Sequence, residues 1–347
     1  MSAIAHTARG EPASKPLTAA ALSTVAGIAA RAPSVHNTQP WRFRADGDVI
    51  ELHADPDRLL AAIDPVGREL MISCGAALFG LRLGLRQFGC VSATRLWPDP
   101  AQPWLVARVW PDGQAPLNAA EADLLRAVAH RHTHRGPFTP GEVSFRFLAT
   151  LAIDAAAEGA ELLFVESPGV VGELAALVDS AAADQDASAE IAAETRRWLR
   201  PDDSQARDGV PARAAASSDG QPTRFRQRRF SGPGSVGHQA DGKVASGDSV
   251  GEPPLATAVL VTAADTADDW LRAGQALNRL LLRAATRWVF ASLQSQPLES
   301  PRYREQVRNL LDHKGQPQML LQFGRANTAL ATPRRRQAEL RTNENQS

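Results

Sequence analysis

Cysteine is scarce: the 347-residue chain has two, Cys74 and Cys90. Two cysteines cannot build a disulfide framework, and the count fits a reducing compartment. Net charge is missing as well. Lys plus Arg number 38 and Asp plus Glu number 38, so no overall field recruits nucleic acid or acidic partners. No apolar run approaches the roughly 20 residues that a membrane-spanning helix needs. The opening MSAIAHTARGEPASKP lacks the apolar core of a secretory signal. The serine elbow G-x-S-x-G, the phosphate loop ending in Gly-Lys-Ser/Thr and the zinc helix H-E-x-x-H are absent too. What remains is the expectation of a cytoplasmic protein, with no nucleic acid and no membrane among its partners.

The chain is 44% hydrophobic and 22% charged. Its length suits two domains or one large double unit. Residues 1–16 are small and polar and read as a disordered tail. Residues 17–30 form a short amphipathic pattern with Leu22, Val25, Ile28 and Ala29 on one face. Pro33 ends it, because the residue before a proline is pushed out of helical geometry. WRFRADGDVIELHAD, from Trp41, alternates around Asp46-Gly47 and predicts a hairpin.

Residues 69–88 repeat Leu70, Cys74, Ala77, Leu78, Leu81, Leu85 and Phe88 at helical spacing. Residues 268–288 do the same through Trp270, Gly274, Leu277, Leu281, Ala284 and Trp288. The period alone is common to amphipathic helices. Beyond it, ISCGAALFGL from Ile72 aligns without gaps on LRAGQALNRL from Leu271, which sets Gly75 on Gly274 and Leu78 on Leu277. Each helix follows a strand pattern, VIELHAD or AVLVTAAD, and each leads to a proline and an apolar strand, PWLVARV or PQMLLQF. An imperfect internal duplication accounts for the set. Residues 121–129 and 170–186 also read as helices and ELLFVE, from Glu161, as a strand. From 201 to 254 the periodic order fades into Gly, Ser, Asp, Arg and Pro, as in a lid, a linker or a disordered insertion.

Three patterns mislead. GPGSVG, from Gly232, spells a dinucleotide fingerprint without the strand and helix that would give it meaning. His130, His132 and His134 alternate, but no cysteine or carboxylate lies near them in sequence, so no metal is expected. RFRQRRF, from Arg224, mixes bases and aromatics inside the unpatterned stretch and reads as a solvated charge run.

The loop APSVHNTQPW, from Ala32, is different in kind. Ser34, His36, Asn37, Thr38 and Gln39 form hydrogen bonds, and Pro33 and Pro40 fix the backbone. Such a loop suits a planar heterocycle with many polar edges; the alternative is a surface loop that caps a helix. It resembles the flavin-contacting loop of nitroreductases. Further segments extend the likeness over residues 17–336: DPDRLL, GRELMISCGAAL, RHTHRGPF, DGVP, DWLRAGQAL, QPLE and TPRRR. Together they resemble the double-length Acg group of that superfamily.

That resemblance implies an α+β fold, a mixed sheet flanked by helices, duplicated within one chain as a pseudo-dimer. It implies a first half over 17–120, a second over 121–336 with a lid-like insertion at 201–254, and a tail over 337–347. In ordinary nitroreductases two identical chains build two flavin sites at their interface; here the chain would be a monomer acting as a pseudo-dimer, or a weak homo-oligomer, with one composite site. By the same resemblance, Arg131, His132 and Thr133 hold the FMN phosphate and ribityl chain, and Arg135 stabilises the reduced ring as the catalytic electrostatic group. Pro33, Ser34, Val35 and Asn37 line the ring, Pro297, Leu298 and Glu299 face it near N5, and Arg334 and Arg336 close on the phosphate. The alternative for these arginines is a solvated, charged surface. The implied activity is hydride transfer from NADH or NADPH through FMN to a nitroaromatic or quinone-like electron acceptor. A flavin-sequestering protein with an occluded site, and a flavin-free remnant, are the competing expectations.

Overall fold

The computed structural model describes residues 17–136, 138–215, 225–226, 228, 230, 255–327 and 332–340. The expected N-terminal tail and the GPGSVG string lie outside them. Helix α1 (Ala19–Ala29) begins at Thr18, whose side chain accepts from Ala21 N, and stops well before Pro33. Strands β1 (Trp41–Asp46) and β2 (Val49–Ala54) form the hairpin. The Asp46–Val49 pairing leaves Gly47-Asp48 as its two-residue loop, one position later than the sequence suggests. Gly47 there takes a φ of 56°, which costs an L-residue more than it costs glycine.

Helix α2 (Arg68–Arg86) follows, then β3 (Cys90–Leu96) and β4 (Leu105–Gln114), which complete an antiparallel sheet in the order β1-β2-β4-β3. Helices α3 (Ala119–Ala127) and α4 (Phe145–Ala156) cross to the second half. Its first strand is β5 (Glu161–Val165). An insertion comes next: α5 (Pro168–Ala187), α6 (Ala189–Arg197), the paired two-residue strands β6 (Leu199–Arg200) and β7 (Val210–Pro211), and α7 (Ala212–Ala215). Residues 201–215 are therefore folded, unlike the coil their composition suggests. Strand β8 (Ala256–Thr262), helix α8 (Ala267–Ala285) and β9 (Val289–Gln294) resume the pattern. Short α9 (Gln296–Glu299), α10 (Pro301–Leu310) and β10 (Gln316–Arg325) end it.

The second sheet runs β5-β8-β10-β9. Strand for strand this is the order of the first, so the duplication legible in the two helices extends to topology. The α+β pseudo-dimer expected from sequence is the architecture found.

Helices α2 and α8 meet at the centre, and the equivalent glycines make the crossing. A methyl group added at Gly75 would overlap the Leu271 carbonyl, and one added at Gly274 would overlap the carbonyl of Ile72. Ile72 and Leu271 are themselves equivalent positions, so the contact is reciprocal, as at a two-fold interface between identical chains. Glycine is required because two helix backbones touch here. Trp41, Leu52, Leu78 and Leu81 fill the first core; Leu260, Leu277, Leu280 and Phe323 fill the second. The helical turn Gln337–Leu340 belongs to the first core as well. Leu340 is buried in it, where the sequence reads as tail.

Candidate functional site

A cleft of about 830 Å3, counting its mouth, opens between the two halves. Its apolar walls come from both central helices and from the second sheet: Ile72 on α2, Leu277 on α8, Leu293 on β9 and Met319 on β10. The loop at 33–40 closes one side through Pro33, Ser34, Val35 and His36; the segment after α3 supplies Thr133, His134 and Arg135. Thr133 bridges in parallel to Ala291, and His134 N donates to the Ala291 carbonyl at 2.9 Å, so β9 positions that segment.

The loop is strained. His36, Asn37 and Gln39 sit at φ of 46°, 54° and 50°, a left-handed region that non-glycine residues hold at a cost. Hydrogen bonds fix it there. Val35 N donates to Ser73 Oγ on α2 at 3.2 Å, and Gln39 N to Ser34 Oγ at 3.0 Å. The loop's amides face the protein. Asn37 Nδ2 donates to the carbonyls of Gly209 (2.9 Å) and Pro333 (3.0 Å), and its Oδ1 accepts from Arg334 Nη1 at 3.0 Å. Gln39 Nε2 donates to Arg207 O at 2.9 Å, and Gln39 Oε1 accepts from Arg335 N at 2.8 Å. Asn37, expected to line the ring, thus stands one layer behind the cleft and ties the loop to the insertion and to the C-terminal strap.

Behind the loop lies a group of cations. Arg131 Nη2 and Arg334 Nη2 both donate to the Arg31 carbonyl, at 2.9 and 3.3 Å. Arg131 Nη1 and Arg334 Nε are buried without a partner. Burial pushes Arg131 and Arg135 down to about 10. It also lowers Arg334, with Arg131, Arg31 and Arg135 adding repulsion. Among the described residues no carboxylate offsets them. Guanidinium groups remain charged under such pressure, so the arrangement has surplus positive potential and spare N–H donors that an anionic group would satisfy.

The other expected residues are spread. His132 is buried against Phe290, ring centroids 4.2 Å apart, and burial lowers it to about 4. Pro297 and Leu298 are buried, Leu298 in the core between α5 and β8, while Ser295 and Gln296, just before them, line the cleft. Glu299 is buried in an ion pair with Arg228, at 2.5 Å. Arg336 is exposed; the buried partner of Arg334 in that strap is Arg335, which donates to the carbonyls of Gln39 (3.0 Å) and Trp41 (3.3 Å).

Five cleft residues carry chemistry that the sequence left unassigned. His36 is buried with both ring nitrogens unpartnered, and burial, with Arg228 and Arg135, holds it well below its ordinary value. Phe230 meets it edge-on at 5.1 Å. Phe230 and Arg228 both come from the insertion, so part of that segment forms a wall of the cleft. Ser73 and Glu69 lie on α2, one turn apart, and Ser73 Oγ donates to Glu69 O at 2.7 Å. Both fall inside GRELMISCGAAL, where the helical period draws attention to the apolar positions instead. Among the described residues no cluster of His, Cys, Asp or Glu suits a metal ion, and no helix is long and apolar enough to cross a membrane.

No family model matches the chain. A Mycobacterium tuberculosis protein provisionally named an NAD(P)H nitroreductase, Rv3131, is 34% identical over 321 residues, covering 90% of this chain and 88% of its own. The uncharacterised Rv3127 of the same organism is 27% identical over 323 residues, 88% of this chain and 87% of its own. A third relative there, acg, also provisionally named an NAD(P)H nitroreductase, is 37% identical over 113 residues, 32% of this chain and 34% of its own. Among solved structures, an FMN-bound nitroreductase from Desulfitobacterium hafniense aligns at a TM-score of 0.39 and 12% identity, over 64% of this chain and 97% of its own.

Proposed function

The chain belongs to the nitroreductase superfamily, and on that footing we propose that it is an FMN-dependent oxidoreductase, taking hydride from NADH or NADPH to a nitroaromatic or quinone-like acceptor. The observation that carries this is the buried arginine group behind the 33–40 loop. Arg131 and Arg334 have unspent donors and, among the described residues, no acid offsetting their charge, as a site built for a phosphate monoester requires. The cleft beside it has apolar walls, as a pocket for an aromatic ring system requires.

In this proposal Arg131 and Arg334 hold the phosphate, with Thr133 and His132 beside the sugar-alcohol chain. Pro33, Ser34 and Val35 set one wall against the ring. Arg135, which lines the cleft, would stabilise the negative charge that grows on the ring on reduction. Bound FMN would supply the two-electron exchange itself; the chain supplies position and electrostatics. The relatives' names, given to proteins of nearly the same length, support the same activity.

Purified protein should carry a yellow, tightly held flavin, and Arg131→Ala should weaken it about 10- to 100-fold, one charge-assisted pair of roughly 1.5–3 kcal/mol. Anaerobic NADH or NADPH should bleach the bands and a quinone restore them. A sequestering role is favoured by one observation, the presence of Arg228 and Phe230 in the cleft wall. Bound flavin that no nicotinamide reduces decides for sequestration; colourless protein that takes up no FMN sinks both.

A further inference from the structure

Hydride transfer to a quinone leaves an oxygen anion that needs a proton, and the cleft holds a single carboxyl group among its described lining residues, Glu69. We propose that Glu69 is the catalytic acid of the acceptor step, protonating the oxygen of a quinone-type substrate bound in the cleft. This rests on the proposed oxidoreductase function and assigns a residue to a step for which the resemblance supplies none.

The placement is specific. Glu69 opens the first turn of α2, one helical turn before Ser73, which holds the cleft loop through Val35 N. It is 3% exposed, so the cleft is its route to a proton acceptor. Its carboxylate accepts from Arg68 Nη2. Arg68 is in turn engaged elsewhere: its Nη1 donates to both the carbonyl and Oε1 of Gln318, each at 3.0 Å. Gln318 Nε2 continues to Thr262 Oγ1 at 2.9 Å and Asp265 Oδ1 at 3.2 Å, and Arg304 reaches Asp265 at 2.6 Å. This chain holds Glu69 in place from behind.

The charged groups around it decide its protonation. Asp64, in the turn before α2, and Glu299, on α9, oppose its ionisation; Arg68, Arg228 from the insertion and Arg304 on α10 favour it. His36, His134 and Arg135 share the cleft. Burial together with the two acids outweighs the cations, and the carboxyl is pushed up to about 7. A group so poised exchanges its proton around neutral pH and can release it to a stronger base. His36 cannot serve as a charged donor, since its environment keeps it neutral.

The step balances simply. Reduced flavin cofactor supplies a hydride, hence two electrons, to the quinone. The Glu69 O–H bond then breaks, its proton forms the new O–H bond of the hydroquinone, and its electron pair stays on the carboxylate. Water reprotonates the carboxylate before the next cycle.

Two measurements test this, and they fail separately. In cofactor-free protein with carbon-13 at the glutamate carboxyls, NMR should show one carboxyl titrating near 7, absent in Glu69→Gln; a Glu69 that titrates near 4.5 overturns the proposal. In flavin-loaded protein, stopped flow reads reduction by NADH or NADPH and reoxidation by benzoquinone separately. Reoxidation should decline above pH 7, fall on the order of 10²-fold more than reduction does in Glu69→Gln, and lose that pH dependence. Glu69→Asp should recover part of the rate. Equal losses in both steps, or a profile abolished by His134→Asn instead, overturn the proposal. Flavin that no nicotinamide reduces overturns the proposed function, and the acid with it, even where Glu69 titrates near 7.

Discussion

The two sheets share a strand order and differ in what covers them. In the second, alternate residues of β8 and β10 are buried on both faces. Leu260 and Leu321 pack inward on α8, while Val259, Val261 and Leu320 pack outward on α5 and α10. In the first, Leu52 and Ile50 pack inward, but the outer face carries a charged ladder. Glu51 accepts from Arg44 at 2.8 Å, Arg108 at 3.0 Å and His53 at 2.9 Å. One duplicated topology thus exists as a one-sided and a two-sided sheet, and the insertion makes the difference. The covering layer also ends in the residues that wall the cleft, so the elaborated half is the one that shapes the site.

The same contrast holds at the cleft. By the α2/α8 alignment, Asp268 is the counterpart of Glu69. The same offset runs on into the strands, since three residues separate helix from strand in both halves, and it makes Trp97 the counterpart of Gln296, which lines the cleft. In the second copy the Trp97 indole hydrogen-bonds Asp268 Oδ1 at 2.6 Å. A bulky ring therefore stands against the position that, in the first copy, faces open space. The symmetry-related position is occupied by an indole rather than by open cleft.

The largest effect should come from breaking the axis that relates the halves. Gly274→Val drives a branched side chain into the Ile72 carbonyl, and we expect about 3 kcal/mol of destabilisation or more, read as a lower urea midpoint. A stability near wild type would mean that the helices are not in contact there. Next, Trp97→Ala empties the filled site. It should cost about 2 kcal/mol, as loss of a half-buried ring and one hydrogen bond. Flavin stoichiometry should stay at one per chain, because the arginine group behind the 33–40 loop has no copy among the described residues; two flavins would break the comparison.

The smallest effect concerns the ladder. Burial opposes ionisation of Glu51, but Arg44, His53 and Arg108 together hold it down to about 2, below its ordinary 4.5. A depressed carboxylate stabilises the fold above pH 4.5, and that contribution fades as pH falls toward 2. Glu51→Gln should therefore be less stable than wild type at neutral pH by a modest margin, Arg44 and Arg108 being solvent-exposed. The margin should close below pH 3 in acid-unfolding curves. A gap that widens in acid would show that the ladder is not what supports that face.

Much of this was legible beforehand. The central helices announce themselves by period, and the gapless alignment across them reports the duplication. Their crossing was not legible, because an alignment pairs Gly75 with Gly274 without saying that the two touch. At the site, Pro33, Ser34, Val35, Thr133 and Arg135 line the cleft as their motifs suggest. Asn37 shows the limit: an amide's hydrogen-bonding capacity is visible in sequence, but its partners, Gly209, Pro333 and Arg334, come from 172 to 297 positions away. Arg336 is exposed while Arg334 and Arg335 face inward for a similar reason, since which arginines of the strap are engaged depends on how it docks. Glu69 was hidden by its surroundings, one acid amid an apolar helical stripe.

The reciprocal glycine crossing bears on inheritance. In a protein assembled from two identical subunits, one codon change alters both active sites at once. Here each half has its own codons, so Trp97 could close one site while Gln296 left the other open. Only the axis escapes that freedom. Gly75 and Gly274 each abut the other helix's main chain, and neither can change unless the opposite backbone moves. Divergence between the halves should therefore grow with distance from this point, leaving the crossing as the oldest text in the gene.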